Sequence, residues 1–93
     1  MKVEDLNYID YSELPFDLRV AVRKYIEYGI DPGSFLAAVI DNNLIDSFGR
    51  ADANNKFLLS DIVSWFYWNG PSPCWGSIEK RIAWRKEQKE NLS

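Results

Sequence analysis

Asn54-Asn55-Lys56-Phe57-Leu58-Leu59-Ser60-Asp61-Ile62-Val63-Ser64-Trp65-Phe66-Tyr67-Trp68 is the stretch on which the fold turns. Leu58, Leu59, Ile62, Val63 and Phe66 recur at intervals that line up one face of an α-helix. Trp65 and Trp68 lie beside that stripe, so the predicted apolar face is unusually wide. Asn69-Gly70-Pro71 closes the helix, because glycine lets the backbone leave the last turn and proline cannot continue it. This helix is expected at the centre of the domain.

The segments before it read as helices too. Pro15 suits a first helical turn, where its missing N–H would be unpaired anyway. From there Leu18, Ala21, Val22, Tyr25 and Ile26 repeat at helical spacing until Gly29 stops the run. Asp31-Pro32 reads as a carboxylate cap followed by a first-turn proline. Phe35, Leu36, Val39 and Ile40 follow as a buried stripe, and Asn42-Asn43 ends or bends it. Leu44, Ile45 and Phe48 make a short helix closing at Gly49, and Arg50-Ala51-Asp52 is a turn.

After the central helix, Pro71 to Gly76 is a tight loop. Ser77 caps a last helix running to about Glu90, with Ile78, Ile82 and Ala83 expected to face inward. Strand signals are weak throughout. The expected fold is all-α: a compact bundle of four to five short helices over residues 14–93. Residues 1–13 form an acidic N-terminal arm, and Val3, Leu6, Tyr8, Ile9 and Tyr11 make it apolar enough to pack on the domain.

Composition sets outer limits. The chain has 93 residues, 46% hydrophobic and 27% charged, with aromatic residues at 15%. It therefore lacks the low hydrophobicity and high net charge of a disordered chain. Many rings suit a small core, and equally a binding surface. They also allow an exposed apolar patch that a homo-oligomer would cover. The net charge of −3 disfavours a surface that tracks phosphates, so no direct nucleic-acid contact is expected. The same charge is small for a protein that imitates DNA, although the acidic stretches 1–17 and 29–55 lean that way. No apolar run reaches the ~18 residues of a membrane span. The opening MKVEDLNYID is acidic and unlike a signal peptide, which predicts a cytoplasmic protein.

There is no histidine and one cysteine, Cys74. A zinc site or a Cys–His nucleophile cannot be assembled from that set. Asp41 with Asp46, and Asp52 with Asp61, could share surfaces, but no apolar setting would separate their pKa values for acid–base work. The expectation is a non-enzymatic protein without a metal or cofactor.

Two loops carry the candidate binding residues. Gly49-Arg50-Ala51-Asp52 either offers the Arg50 guanidinium to a carboxylate or phosphate, or lets Arg50 pair with a neighbouring aspartate and pin the turn. Cys74-Trp75-Gly76-Ser77 sets a ring just before a helix N-terminus, where free N–H groups attract anions. There Trp75 either stacks on a flat ligand above Ser77, or plugs the core while Ser77 merely caps. Gly33 and Ser34 mark another helix start where a ligand or backbone can come close. The candidate partners are thus a small anionic, nucleotide-like ligand or a protein. A helix over 54–68 is roughly 22 Å long and would hold the Arg50 and Trp75 loops at opposite ends.

Taken together, Tyr25-Ile26-Glu27, Gly29-Ile30, Pro32-Gly33-Ser34-Phe35-Leu36, Ala38-Val39, Asn43-Leu44, Gly49-Arg50-Ala51-Asp52, Cys74-Trp75-Gly76-Ser77 and Glu79-Lys80 resemble a family of small phage- and prophage-associated proteins of unassigned function. The resemblance covers roughly residues 14–84. It implies a phage-related origin and a bacterial cytoplasm. By analogy of context it implies an accessory role, binding something of the host and countering its defences, or docking on a host or phage protein as inhibitor or adaptor.

Overall fold

A computed structural model describes residue 6 and residues 8–92. Residues 1–5 and 7 of the acidic arm, Val3 among them, and residue 93 lie outside the described residues. The fold is all-α. Five α-helices follow in order: α1 (Phe16–Tyr28), α2 (Ser34–Ile40), α3 (Leu44–Arg50), α4 (Ala53–Asn69) and α5 (Ile78–Asn91). A short 3-10 turn, Ser72–Cys74, lies between the last two, and the described residues contain no strand. No helix among them is long and apolar enough to cross a membrane.

Local chemistry sets most boundaries. Pro15 stands just before α1, and Gly29 ends it at φ +71 with its N–H on Tyr25 O. α2 starts two residues later than Asp31-Pro32 suggested. The Asp31 carboxylate accepts the Gly33 N–H at 2.9 Å, which makes a turn there, and Gly33 itself is the cap at φ +91. Asn43 caps α3 by accepting from Asp46 N, Asp52 caps α4 from Asn55 N, and Ser77 caps α5 from Lys80 N. Gly70 ends α4 in an extended conformation (φ −74), so no left-handed turn is used there.

The core joins Val22, Tyr25 and Ile26 of α1 to Leu36 and Ile40 of α2, Ile62, Trp65 and Phe66 of α4, Cys74, and Trp84 of α5. Ile9 from the described part of the arm and Leu14 just after it close the core. There Tyr11 stacks on Trp65 with centroids 5.5 Å apart, and the Trp65 indole donates to Asp10 O at 2.9 Å. The tightest helix pairs are α2–α3 and α1–α5. α4 is therefore not the close-packed centre: it reaches the core through large side chains and keeps its other face open. Ile62 is fully buried. Ile62→Ala is expected to cost on the order of 2–4 kcal/mol in denaturant melts through lost burial and a cavity. A loss under about 0.5 kcal/mol would mean that the core does not depend on α4.

α5 corrects the expectation most. Ile78, Ile82 and Ala83 are exposed, and Trp84 and Gln88 are the buried pair. The inward face is held by polar contacts. Arg81 makes a two-pronged pair with Asp41 at 2.6 and 3.1 Å, the Trp84 indole donates to Ile26 O at 3.0 Å, and Arg85 donates to Gly29 O at 3.0 Å. An arginine whose charge is matched can lie inward along its stem, and the isoleucines are turned out. Val63, expected in the core stripe, is likewise 45% exposed, on the flank of α4 facing α3.

Candidate functional site

The open face of α4 and the adjoining face of α3 form the candidate site. α3 is a seven-residue helix whose buried residue is Ser47. The Ser47 hydroxyl donates back to Asn43 O at 2.6 Å. A serine at the contact lets α3 lie close to α2, since no large side chain holds the two apart. The apolar residues of α3 are consequently turned outward, with Ile45 87% exposed and Leu44 and Phe48 at about half.

The start of α3 is fixed from both sides. The chain reverses at Asn42, a non-glycine residue at φ 63, a conformation that asparagine tolerates better than most. The preceding Asp41 is tied to Arg81, and Ile40 O accepts from Gly76 N at 2.7 Å. The start of α3 is thereby tied to α5 and to the loop before it.

Opposite it, α4 shows Phe57, Ser60, Val63, Ser64, Tyr67 and Trp68 to solvent. Phe57 is 88% exposed and Trp68 76%. Tyr67 and Trp68 meet edge to face, their centroids 5.0 Å apart. Between the helices runs a groove of about 550 Å³ whose lining includes one charged residue, Lys56. A second hollow of about 370 Å³ opens beside it, roofed by Trp75 and Tyr67 and edged by Asn42 and Asn43. The two share Leu44, Val63 and Tyr67, so they are neighbouring parts of one apolar trough.

The residues singled out in the sequence fall around this trough without meeting in it. Arg50 ends α3 and donates to Asp46 at 3.0 Å, both side chains being about half exposed. Such an exposed pair stabilises by a few tenths of a kcal/mol and leaves the guanidinium engaged. Asp52 caps α4 beside it. Trp75 is half-buried at the far end of α4, its indole donating to Gly70 O at 3.4 Å. Ser77 caps α5, and Gly33 and Ser34 open α2. The hollow under Trp75 is lined by neither Arg50, Ser77, Gly33 nor Ser34. α4, with 17 residues, is about 25 Å long, so the Arg50–Asp52 turn and Trp75 lie at opposite ends of it. Phe57, Tyr67 and Trp68 were not singled out as site residues. Their signal was the excess of apolar residues in 54–68 over what one buried face can hold.

Cys74 lies in the core, next to the carbonyl oxygen that accepts the Tyr25 hydroxyl at 2.6 Å. Burial pushes its thiol up from 9.0 to about 12. The native protein at pH 8 is expected to resist a thiol reagent such as DTNB and to react on unfolding; rapid native reaction would contradict the burial. The same shift weakens the fold in alkali. Between pH 9 and 12 the unfolded thiol has lost its proton and the folded one has not, so stability falls as pH rises through that window. Burial also raises the hydroxyl pKa values of Tyr11 and Tyr25, which act in the same direction.

Among the described residues no group of three His, Cys, Asp or Glu side chains is placed to hold a metal ion. Comparison with protein-family models, with curated proteins and with solved structures found no match.

Proposed function

We propose that the chain is a non-enzymatic accessory protein that works through a protein–protein contact made by the trough between α3 and α4. The observation that carries this reading is the set of large apolar side chains left in solvent there: Leu44, Phe48, Phe57, Val63, Tyr67 and Trp68. Exposed apolar area on that scale is costly for a lone domain and marks an interaction surface. A central cluster of rings is also the usual anchor of a protein interface. A small anionic ligand fits less well, because Arg50 is engaged by Asp46 and Lys56 is the one cation lining the groove. The resemblance of residues 14–84 to phage-associated proteins supports a partner in the bacterial cytoplasm, and a role in countering host defence.

The test is photo-crosslinking in bacterial cells, with a benzophenone side chain at Phe57 on the trough or at Lys86 on α5. A discrete protein adduct from position 57, absent from position 86 and lost when Trp68→Lys is added, is the expected result. Absence of any adduct at position 57 would reject the trough as a docking surface.

A further inference from the structure

We infer that the partner seated on α4 is a second copy of this chain, its α4 running antiparallel to the first. This rests on the reading of the trough as a docking surface. Three observations select the second copy.

The first is the order of side chains along the open face. Phe57, Ser60, Ser64 and Tyr67 follow at intervals of three, four and three, with Trp68 beside Tyr67. The order is ring, small, small, ring, and it reads the same from either end. A two-fold axis crossing the helix near residue 62 sets Phe57 of one copy against Tyr67 and Trp68 of the other. It also sets Ser60 against Ser64, where small side chains let the backbones come close. A two-fold contact uses the same patch on both subunits and requires a face that complements itself.

Each knob has a matching space. A copy's Phe57 arrives beside the hollow roofed by Tyr67 and Trp75, and its Trp68 beside another, of about 360 Å³, at Ala53, Lys56 and Phe57. One operator serves both ends.

Charge and area agree. Self-association sets like charges against like, so it suits a nearly uncharged face. Lys56 is the one charge lining the groove, Asp46 and Arg50 on α3 neutralise each other, and the acidic pair Glu13 and Asp61 borders only the outer flank of Ser64 and Trp68. The two Lys56 residues would stand about 18 Å apart along the paired helices at ~1.5 Å per residue, beyond the ~8 Å screening length. A fully exposed large ring presents about 150–250 Å². The exposed parts of the six apolar side chains of the trough then amount to something on the order of 800 Å², about what one partner gives to a standard interface.

Sedimentation and light scattering on the full chain test this, joined to disulfide trapping. The expected result is a particle of twice 10.8 kDa. Phe57→Lys and Trp68→Lys should each weaken association by about 30-fold or more, as loss of an anchor ring does. Both should keep the wild-type helical signal. A mixture of Ser60→Cys and Ser64→Cys proteins should form the crossed disulfide faster than either protein alone. A wild-type chain that stays monomeric up to about 1 mM would overturn the inference. So would a dimer indifferent to both lysine variants, or one that gives no preference for the crossed disulfide. The photo-crosslinking arm separates the two levels. An adduct from position 57 to a different protein only removes the second copy and leaves the docking surface, whereas no adduct at all removes both.

Discussion

Trp84→Ala is expected to lower stability by roughly 3–5 kcal/mol, as large aromatic-to-alanine changes in cores do. Small domains hold only about 5–15 kcal/mol in total, so most of this one's margin would go. Trp84 is 1% exposed and is among the largest fully buried side chains. Two losses add. The ring leaves a cavity between α5 and the α1–α2 layer, and Ile26 O loses its indole donor at 3.0 Å. Trp84→Phe separates them, since it refills much of the space without restoring the N–H. It should recover more than half of the loss if packing dominates. Urea titration followed by far-ultraviolet circular dichroism measures both variants. An alanine variant within about 1 kcal/mol of wild type would show that α5 is not part of the cooperative core.

Gly29→Val is the second large effect, and its cause lies in the backbone. Gly29 sits at φ +71, which disfavours any side chain and β-branched ones most. A Cβ there would stand 2.6 Å from the backbone oxygen of Arg85 and 3.1 Å from Gln88 Cβ. That oxygen belongs to α5 and cannot rotate away. Left-handed strain of about 1–2 kcal/mol joins overpacking of about 1–3 kcal/mol, giving roughly 2–5 kcal/mol in the same titration. Gly33→Val is the comparison: φ is +91 there, but nothing lies within 4 Å of the added carbon. It should cost backbone strain alone, of about 1–3 kcal/mol, because at ψ 164 it lies in a region open almost only to glycine. A Gly29→Val loss no larger than the left-handed strain of about 1–2 kcal/mol would remove the α1–α5 contact from the explanation.

These two positions also show where the sequence could be read. The glycine that stops α1, the Ser77 cap and the long run through Ile62 and Phe66 all depend on neighbours a few residues away, and such local rules were legible. The inward face of α5 was not. Arg81 and Arg85 point in because Asp41 and Gly29 O meet them from 40 and 56 residues away. A hydrophobic pattern scores such arginines as surface, and so moved the buried stripe onto Ile78 and Ile82. The trough was hidden for a related reason. Leu44, Ile45 and Phe48 mark a short helix without saying which side is covered until Ser47 is known to make the buried contact. Pairing between Arg50 and Asp46, four apart on one helix, follows an ordinary helical rule, and the sequence had offered it as one of two alternatives.

The four indoles occupy three kinds of surroundings. Trp65 and Trp84 are enclosed, Trp75 is half-covered, and Trp68 stands in solvent at the mouth of the trough. The chain thereby contains its own optical gauge, without an added dye. Iodide, which stays in water, should quench the emission of Trp68 first and leave the enclosed pair alone. Unfolding should shift the enclosed pair toward the red. Covering the trough should instead shift Trp68 toward the blue and shelter it from iodide. Trp68→Phe would then silence the signal of association while keeping that of folding, so one cuvette could follow the two processes separately.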